Sequence, residues 1–253
     1  MAILENKKNV LFIVEGDGAE NTLIHHINRV LKITDEYKVL AYNTVIYELY
    51  EELMSDSDLD LLLLLKEKAN LEDKTKFSVK YTNIYLIFDF DPHHHKYDLE
   101  KLKSMLVKFS DSTNGGKLYI NYPMVESYKH LKQMPDLGFL KRTVSKLEVL
   151  EYKAIVGTFP IYSNLTKYTY TTVRDMLLHH TIKYNFIGTK NKTIGDIEIY
   201  EDEDQLFALN VLNIQNHQYN MDQLYVLNTA IFYTLDLSPK KLYNQLLKHQ
   251  VKL

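Results

Sequence analysis

Cysteine is absent from this chain of 253 residues. That excludes disulfides, thiolate zinc sites and cysteine nucleophiles, and it fits a reducing compartment. Long hydrophobic runs are missing too. No apolar stretch exceeds the "LLLLL" of residues 61–65, far short of the roughly 20 residues that a membrane-spanning helix needs. The opening "MAILENKKNVLFIVEG" has no basic n-region leading into an h-region and a small-residue cleavage site, so no signal peptide is expected. Excess charge of either sign is also lacking. The formal net charge is −3, so no global basic field advertises nucleic acid, although a local patch would suffice. These absences point to a globular, cytoplasmic protein with no membrane partner, long enough for one large domain or two modest ones. Tryptophan is absent while tyrosine reaches 20 and phenylalanine 10. With the abundance of Lys, Asn and Ile, an AT-rich coding genome is the simplest account of that bias.

Strand-like and helix-like segments alternate in the first half. Residues 9–14 form a short apolar run suited to a strand buried on both faces. Gly16 and Gly18 break it, and Leu23, Ile24, Ile27, Val30 and Leu31 then recur at helical spacing. Residues 39–42 suit a short strand. Residues 44–69 read as helical, interrupted at "SDSD", where Ser55 could cap a second piece. A second clear strand covers 84–88, an amphipathic helix 98–109 (Leu99, Leu102, Leu106 and Val107 on one side), "DSTNGG" a turn and 117–121 a third strand. Beyond about residue 137, helical patterns dominate, at 139–149, 168–184, 204–215, 221–235 and 239–251. The expected fold class is therefore α/β, a largely parallel sheet flanked by helices with a helical C-terminal half. The expected division is 1–135 for the α/β part, with a helical insertion near 43–70, and 136–253 for the helical part.

Two of the strands end in acid. "VLFIVEGDGAE" runs into Glu15, Asp17 and Glu20, and "IYLIFDFD" into Asp89 and Asp91. Loops leaving the carboxyl ends of parallel strands are where ligand groups gather, so neighbouring strands would bring Glu15, Asp89 and Asp91 to one edge. On extended backbone, Asp89 and Asp91 point the same way. Grouped carboxylates repel one another unless a cation compensates them. An all-oxygen set favours Mg²⁺ or Mn²⁺, which keep waters for a phosphate-bearing substrate. The competing reading makes these acids solvated loop residues or helix-start acids complementing a dipole, above all Asp17 and Glu20.

"LFIVEGDGAE" followed by "IYLIFDFD" resembles the Toprim domain shared by topoisomerases, primases and OLD-type nucleases. Glu15 matches that family's glutamate, Asp89 and Asp91 its metal-binding aspartates, and Glu20 the acid that closes its first motif. The resemblance covers roughly residues 9–130. "NYPMVESYKHL" at 121–131 is similar to a segment of small Toprim-like proteins of bacterial antiphage systems, abortive-infection proteins and the PARIS nuclease subunit among them. That likeness implies a further site acid at Glu126 and a phosphate contact at Lys129; the competing reading makes Glu126 a helix-start acid beside Pro123. The chain carries no cysteine zinc module and is too short for a gate-forming topoisomerase, which favours the nuclease branch. The resemblance thus implies a Mg²⁺-dependent nuclease acting on RNA, possibly tRNA, or DNA as a defence effector. No ATPase motif is present in the chain, so a separate ATPase sensor is a plausible partner, as is a second copy in a homo-oligomer. The alternatives are a non-catalytic Toprim-like subunit that binds the ATPase, or a phosphate-transfer enzyme acting on nucleotides.

Four other stretches carry less. Consecutive His93, His94 and His95 project in different directions and cannot share one ion from a regular element; a loop beside the site is expected, with His93 or His94 available to a substrate phosphate. Adjacent His179 and His180 lack the i, i+4 spacing of a helical zinc pair. "KYTYTTVRD" suits core packing better than strand recognition. Lys129, Lys132, Lys141, Arg142 and Lys146 form the best local basic cluster, near the acids if their helix folds back over the strand ends.

Overall fold

The computed structural model describes residues 8–34, 36–55, 60–159, 162–189, 205–238 and 242. In chain order the elements are β1 (Val10–Val14), α1 (Ala19–Leu31), β2 (Tyr37–Ala41), α2 (Ile46–Ser55), α3 (Leu61–Lys68), the single turn α4 (Leu71–Lys74), β3 (Asn83–Asp89), α5 (Leu99–Lys108), β4 (Ser110–Asp111) and β5 (Gly116–Asn121). There follow α6 (Lys146–Leu150) after the two-residue β6 (Thr143–Val144), α7 (Tyr152–Gly157), α8 (Tyr170–Gly188), α9 (Gln205–Asn220), β7 (Leu224–Tyr225) and α10 (Tyr233–Leu237). Among the described residues no helix is long and apolar enough to cross a membrane.

The main sheet has the order β2-β1-β3-β5-β4, with the first four strands parallel and β4 antiparallel at the edge. All five residues of β1 are buried, which is why its sequence is apolar without alternation: the strand lies between two others under helices on the sheet faces. Chain order runs from β1 outward to β2 and then back across to β3. The sheet therefore switches direction between β1 and β3, the place where such folds open a crevice at the carboxyl ends of their strands.

Helix α1 packs Leu23, Ile24, Ile27 and Leu31, the spacing read from the sequence. Helix α5 buries Leu102, Met105 and Leu106, with Asp98 as its N-cap, whereas Val107 turns outward. Between α2 and α3 the working cap is Asp60, which accepts from Leu62 N and Leu63 N; Ser55 instead donates to Glu52 O.

Two of the expected C-terminal helices break. Residues 139–149 hold a 3₁₀ turn, the strand β6 and then α6, because Ser145 and Glu148 form a reciprocal capping box that starts a new helix there. Residues 221–235 contain β7 paired with β6, then a 3₁₀ turn and the start of α10. Asp222, with φ +61, takes the left-handed conformation that ends the helix before it. The helix expected at 239–251 lies outside the described residues except Leu242. One continuous apolar cluster runs from β1 through α8 to α10, so the described parts of both halves share a core.

Candidate functional site

Pairing of β1 with β3 sets Val14 opposite Ile87, and pairing of β3 with β5 sets Asp89 opposite Asn121. Glu15 therefore leaves β1 beside the end of β3. Its N–H donates to Ile87 O at 3.2 Å, and its Oε2 accepts the Asp89 N–H at 3.1 Å. Burial pushes the Glu15 carboxyl up to about 7; the Asp89 N–H opposes the rise, while Glu20 and Asp91 repel and add to it. Asp89 is driven well above the carboxylate range by burial and then by Glu15, Glu20 and Glu126.

Glu20 stands in the first turn of α1, where the exposed N–H groups favour an acid. It is not solvated as a plain cap would be: only 7% of it is exposed, and burial, with Glu126 adding, raises its pKa. Glu126 lies in the 3₁₀ turn Val125–Lys129 that follows β5. It is 6% exposed, its Oε1 is 3.6 Å from the Lys153 ammonium, and its buried Oε2 has no hydrogen-bond partner. At the β1/β3 switch point Glu15, Glu20 and Glu126 thus lie within electrostatic reach of Asp89.

Asp91 departs from the expected geometry. Its backbone has φ +32 and lies beyond the end of β3, past the fully buried Phe90, so the extended backbone that would give it a shared direction with Asp89 ends before it. Its charge is felt by Glu15, Tyr47 and Tyr219.

The remaining expected site residues separate. His94 stacks on Tyr47 at 5.7 Å, and its Nδ1 accepts the Lys96 N–H. His93 is exposed, with Nδ1 3.1 Å from the Tyr219 hydroxyl. Lys129 lies over the Tyr128 ring at 5.4 Å. The ammonium at the carboxylates is Lys153, on α7, which sequence reasoning missed; nothing in "EYKAIVG" marks it, because only the folding of α7 against the Val125–Lys129 turn brings it there.

The basic cluster does not form one helix face. Arg142 is held by both oxygens of Asp136, and Lys146 lies over the Tyr219 ring. His179 and His180 are core residues of α8, the latter accepting the Asn228 N–H.

Asn121, fully buried at the end of β5, joins the site to the second half. Its side-chain NH₂ donates to Asp89 Oδ1 at 3.3 Å, while its Oδ1 accepts from Thr229 N at 3.2 Å and Ala230 N at 3.1 Å.

In kind, the donors fit a hard divalent cation: they are all oxygens, they repel one another, and one is buried without a partner. In position they stand apart. Among the described residues no three His, Asp or Glu side chains are grouped closely enough to hold a metal ion, so a bound ion would have to draw them inward.

Fold and site together define an α/β protein with a carboxylate cluster at its sheet switch point. No protein-family model, no curated protein and no solved structure matches this chain.

Proposed function

We propose that the chain is a Toprim-like phosphodiesterase that uses Mg²⁺ or Mn²⁺ to hydrolyse nucleic acid. One observation supports this most. Four carboxylates act on one another through charge at the switch point with Lys153 as the ammonium set against them, and one carboxylate oxygen is left buried and unbonded. Such a cluster is costly unless a cation or a phosphate-bound cation completes it. Glu15, Asp89 and Asp91 would hold the ion, which would polarise a phosphoryl oxygen and acidify a water. Glu15 is already aimed by the Asp89 N–H, and Asp89 by the Asn121 amide. Glu126 Oε2 would take the proton from the attacking water as the P–O bond to the leaving oxygen breaks, and Glu20 beside it would serve as a further ligand. Lys153 offsets the Glu126 charge and stands where a phosphate could take its place as partner. The defence role and the separate ATPase sensor rest on the resemblance of the motifs.

A second reading, a non-catalytic subunit that binds an ATPase, gains from the spacing of the carboxylates, which are not grouped around one point. Incubation with Mg²⁺ or Mn²⁺ and a panel of tRNA, single-stranded DNA and plasmid separates the two. Cleavage by the wild type and none by Asp89→Ala, with unchanged circular dichroism, is the expected result. Metal-dependent cleavage retained by Asp89→Ala would sink the assignment, and absence of divalent-ion binding in calorimetry would favour the regulatory subunit.

A further inference from the structure

We infer that Lys146, Tyr219 and His93 form a strand-holding subsite beside the carboxylates, one that seats a phosphate of a nucleic-acid chain next to the phosphate being cleaved. The inference rests on the phosphodiesterase reading and names the substrate class as a polymer rather than a mononucleotide.

Three separate elements supply the group: the first residue of α6, the last turn of α9 and the loop after β3. The Tyr219 hydroxyl lies 3.1 Å from His93 Nδ1, and the Lys146 Nζ lies 4.8 Å from the centre of the Tyr219 ring. The Lys146 N–H donates to Asp222 Oδ1 at 3.0 Å, which pins the start of α6 to the turn that follows α9. His93 follows Asp91 by two residues, so the subsite adjoins the Asp91 side of the cluster.

Several cations of the described residues are already committed to carboxylates. Lys96 is held by Glu48 and Glu51, Lys101 by Glu51, Arg142 by Asp136 and Lys153 by Glu126. Among the described residues the Lys146 ammonium has no carboxylate within ion-pair distance; it rests on an aromatic face. The Tyr219 ring cannot stack a base, because Lys146 covers it and Phe90 meets it edge-on at 6.2 Å, and the residue is 9% exposed. An ammonium held on a fixed aromatic platform without a carboxylate partner is suited to a phosphate.

The test is fluorescence anisotropy of labelled single-stranded DNA and RNA oligonucleotides in Ca²⁺, repeated across a KCl series. Lys146→Met should weaken binding ~5-fold or more and reduce the salt slope by about 0.7, the loss of one phosphate contact on a single strand. Tyr219→Phe, which keeps the platform, should weaken it less, and Lys146→Arg should restore it. Thermal unfolding of each variant checks the fold. Weakening on only one polymer supports the subsite and names its source. A Lys146→Met protein that binds like the wild type with the same slope overturns the subsite, while loss of cleavage in Asp89→Ala would leave the phosphodiesterase reading standing. Wild-type protein that binds neither polymer overturns both together.

Discussion

Replacing Glu15 by Gln keeps the side-chain volume and an acceptor for the Asp89 N–H while removing one buried charge. Glu15 titrates at about 7 in the folded protein instead of 4.5, burial being the main cause. Across that interval the folded chain keeps a proton that the unfolded chain has released, so stability falls as pH rises. At ~1.4 kcal/mol per pH unit, that interval amounts to ~3 kcal/mol. Glu15 keeps some solvent contact, which screens the penalty to ~2 kcal/mol. Glu20 and Asp89, also raised, push in the same direction. Urea unfolding in chelator at about pH 5 and about pH 8 reads this directly as a shift of midpoint at constant m-value. Between the two pH values Glu15→Gln should lose ~2 kcal/mol less than the wild type, since every other titrating group acts alike in both proteins. Added Mg²⁺ should restore the wild type at the higher pH and leave the variant almost unchanged. An equal pH-dependent loss in both proteins would refute the claim that burial holds a proton on Glu15.

His130 acts in the opposite direction to Glu15. Burial, with Arg142 and Lys183 adding, lowers His130 from 6.5 to about 3, so stability should fall as pH drops through that window. Acid titration followed by circular dichroism should show His130→Gln with a flatter limb. Lys153→Met should cost under ~1 kcal/mol, because that side chain is 71% exposed. The same variant should bind Mn²⁺ more tightly in calorimetry, having lost the ammonium that competes for the carboxylates. Gly188→Ala would place a Cβ 2.0 Å from Phe207 Cζ; the ~1 kcal/mol gained in helix propensity is outweighed by overpacking of ~1–3 kcal/mol, so thermal unfolding should move downward.

The strands β1, β3 and β5 were legible because central parallel strands need apolar residues on both faces, and Gly16 and Pro123 punctuate their ends. The positions of Glu15 and Asp89 followed from that, since a residue at the end of a strand or one place past it has little freedom. Glu20 and Asp91 were harder: an acid in a first helical turn reads alike whether it faces water or a neighbour, and a positive φ at Asp91 leaves no mark in "FDFDP". The broken helices at 139–149 and 221–235 arose because Leu, Val and Tyr at mixed spacings suit a buried irregular segment as well as a helix. There the signal existed, for "SKLE" carries the S-x-x-E of a capping box. Lys153 had none, since proximity to Glu126 is a product of tertiary packing alone.

The Asn121 amide has a consequence for how the chain can be divided. An amide group is planar and rigid, and this one is gripped by main-chain N–H groups of residues 229 and 230 at one end and grips Asp89 at the other. Sequence position assigns the carboxylates to the first half, yet the orientation of one of them is dictated from the second. Excising the first half as a stand-alone fragment would strip the Asn121 oxygen of both donors and free the amide to turn. The fragment would then retain the acids without the alignment, so the smallest unit that keeps this arrangement includes both halves.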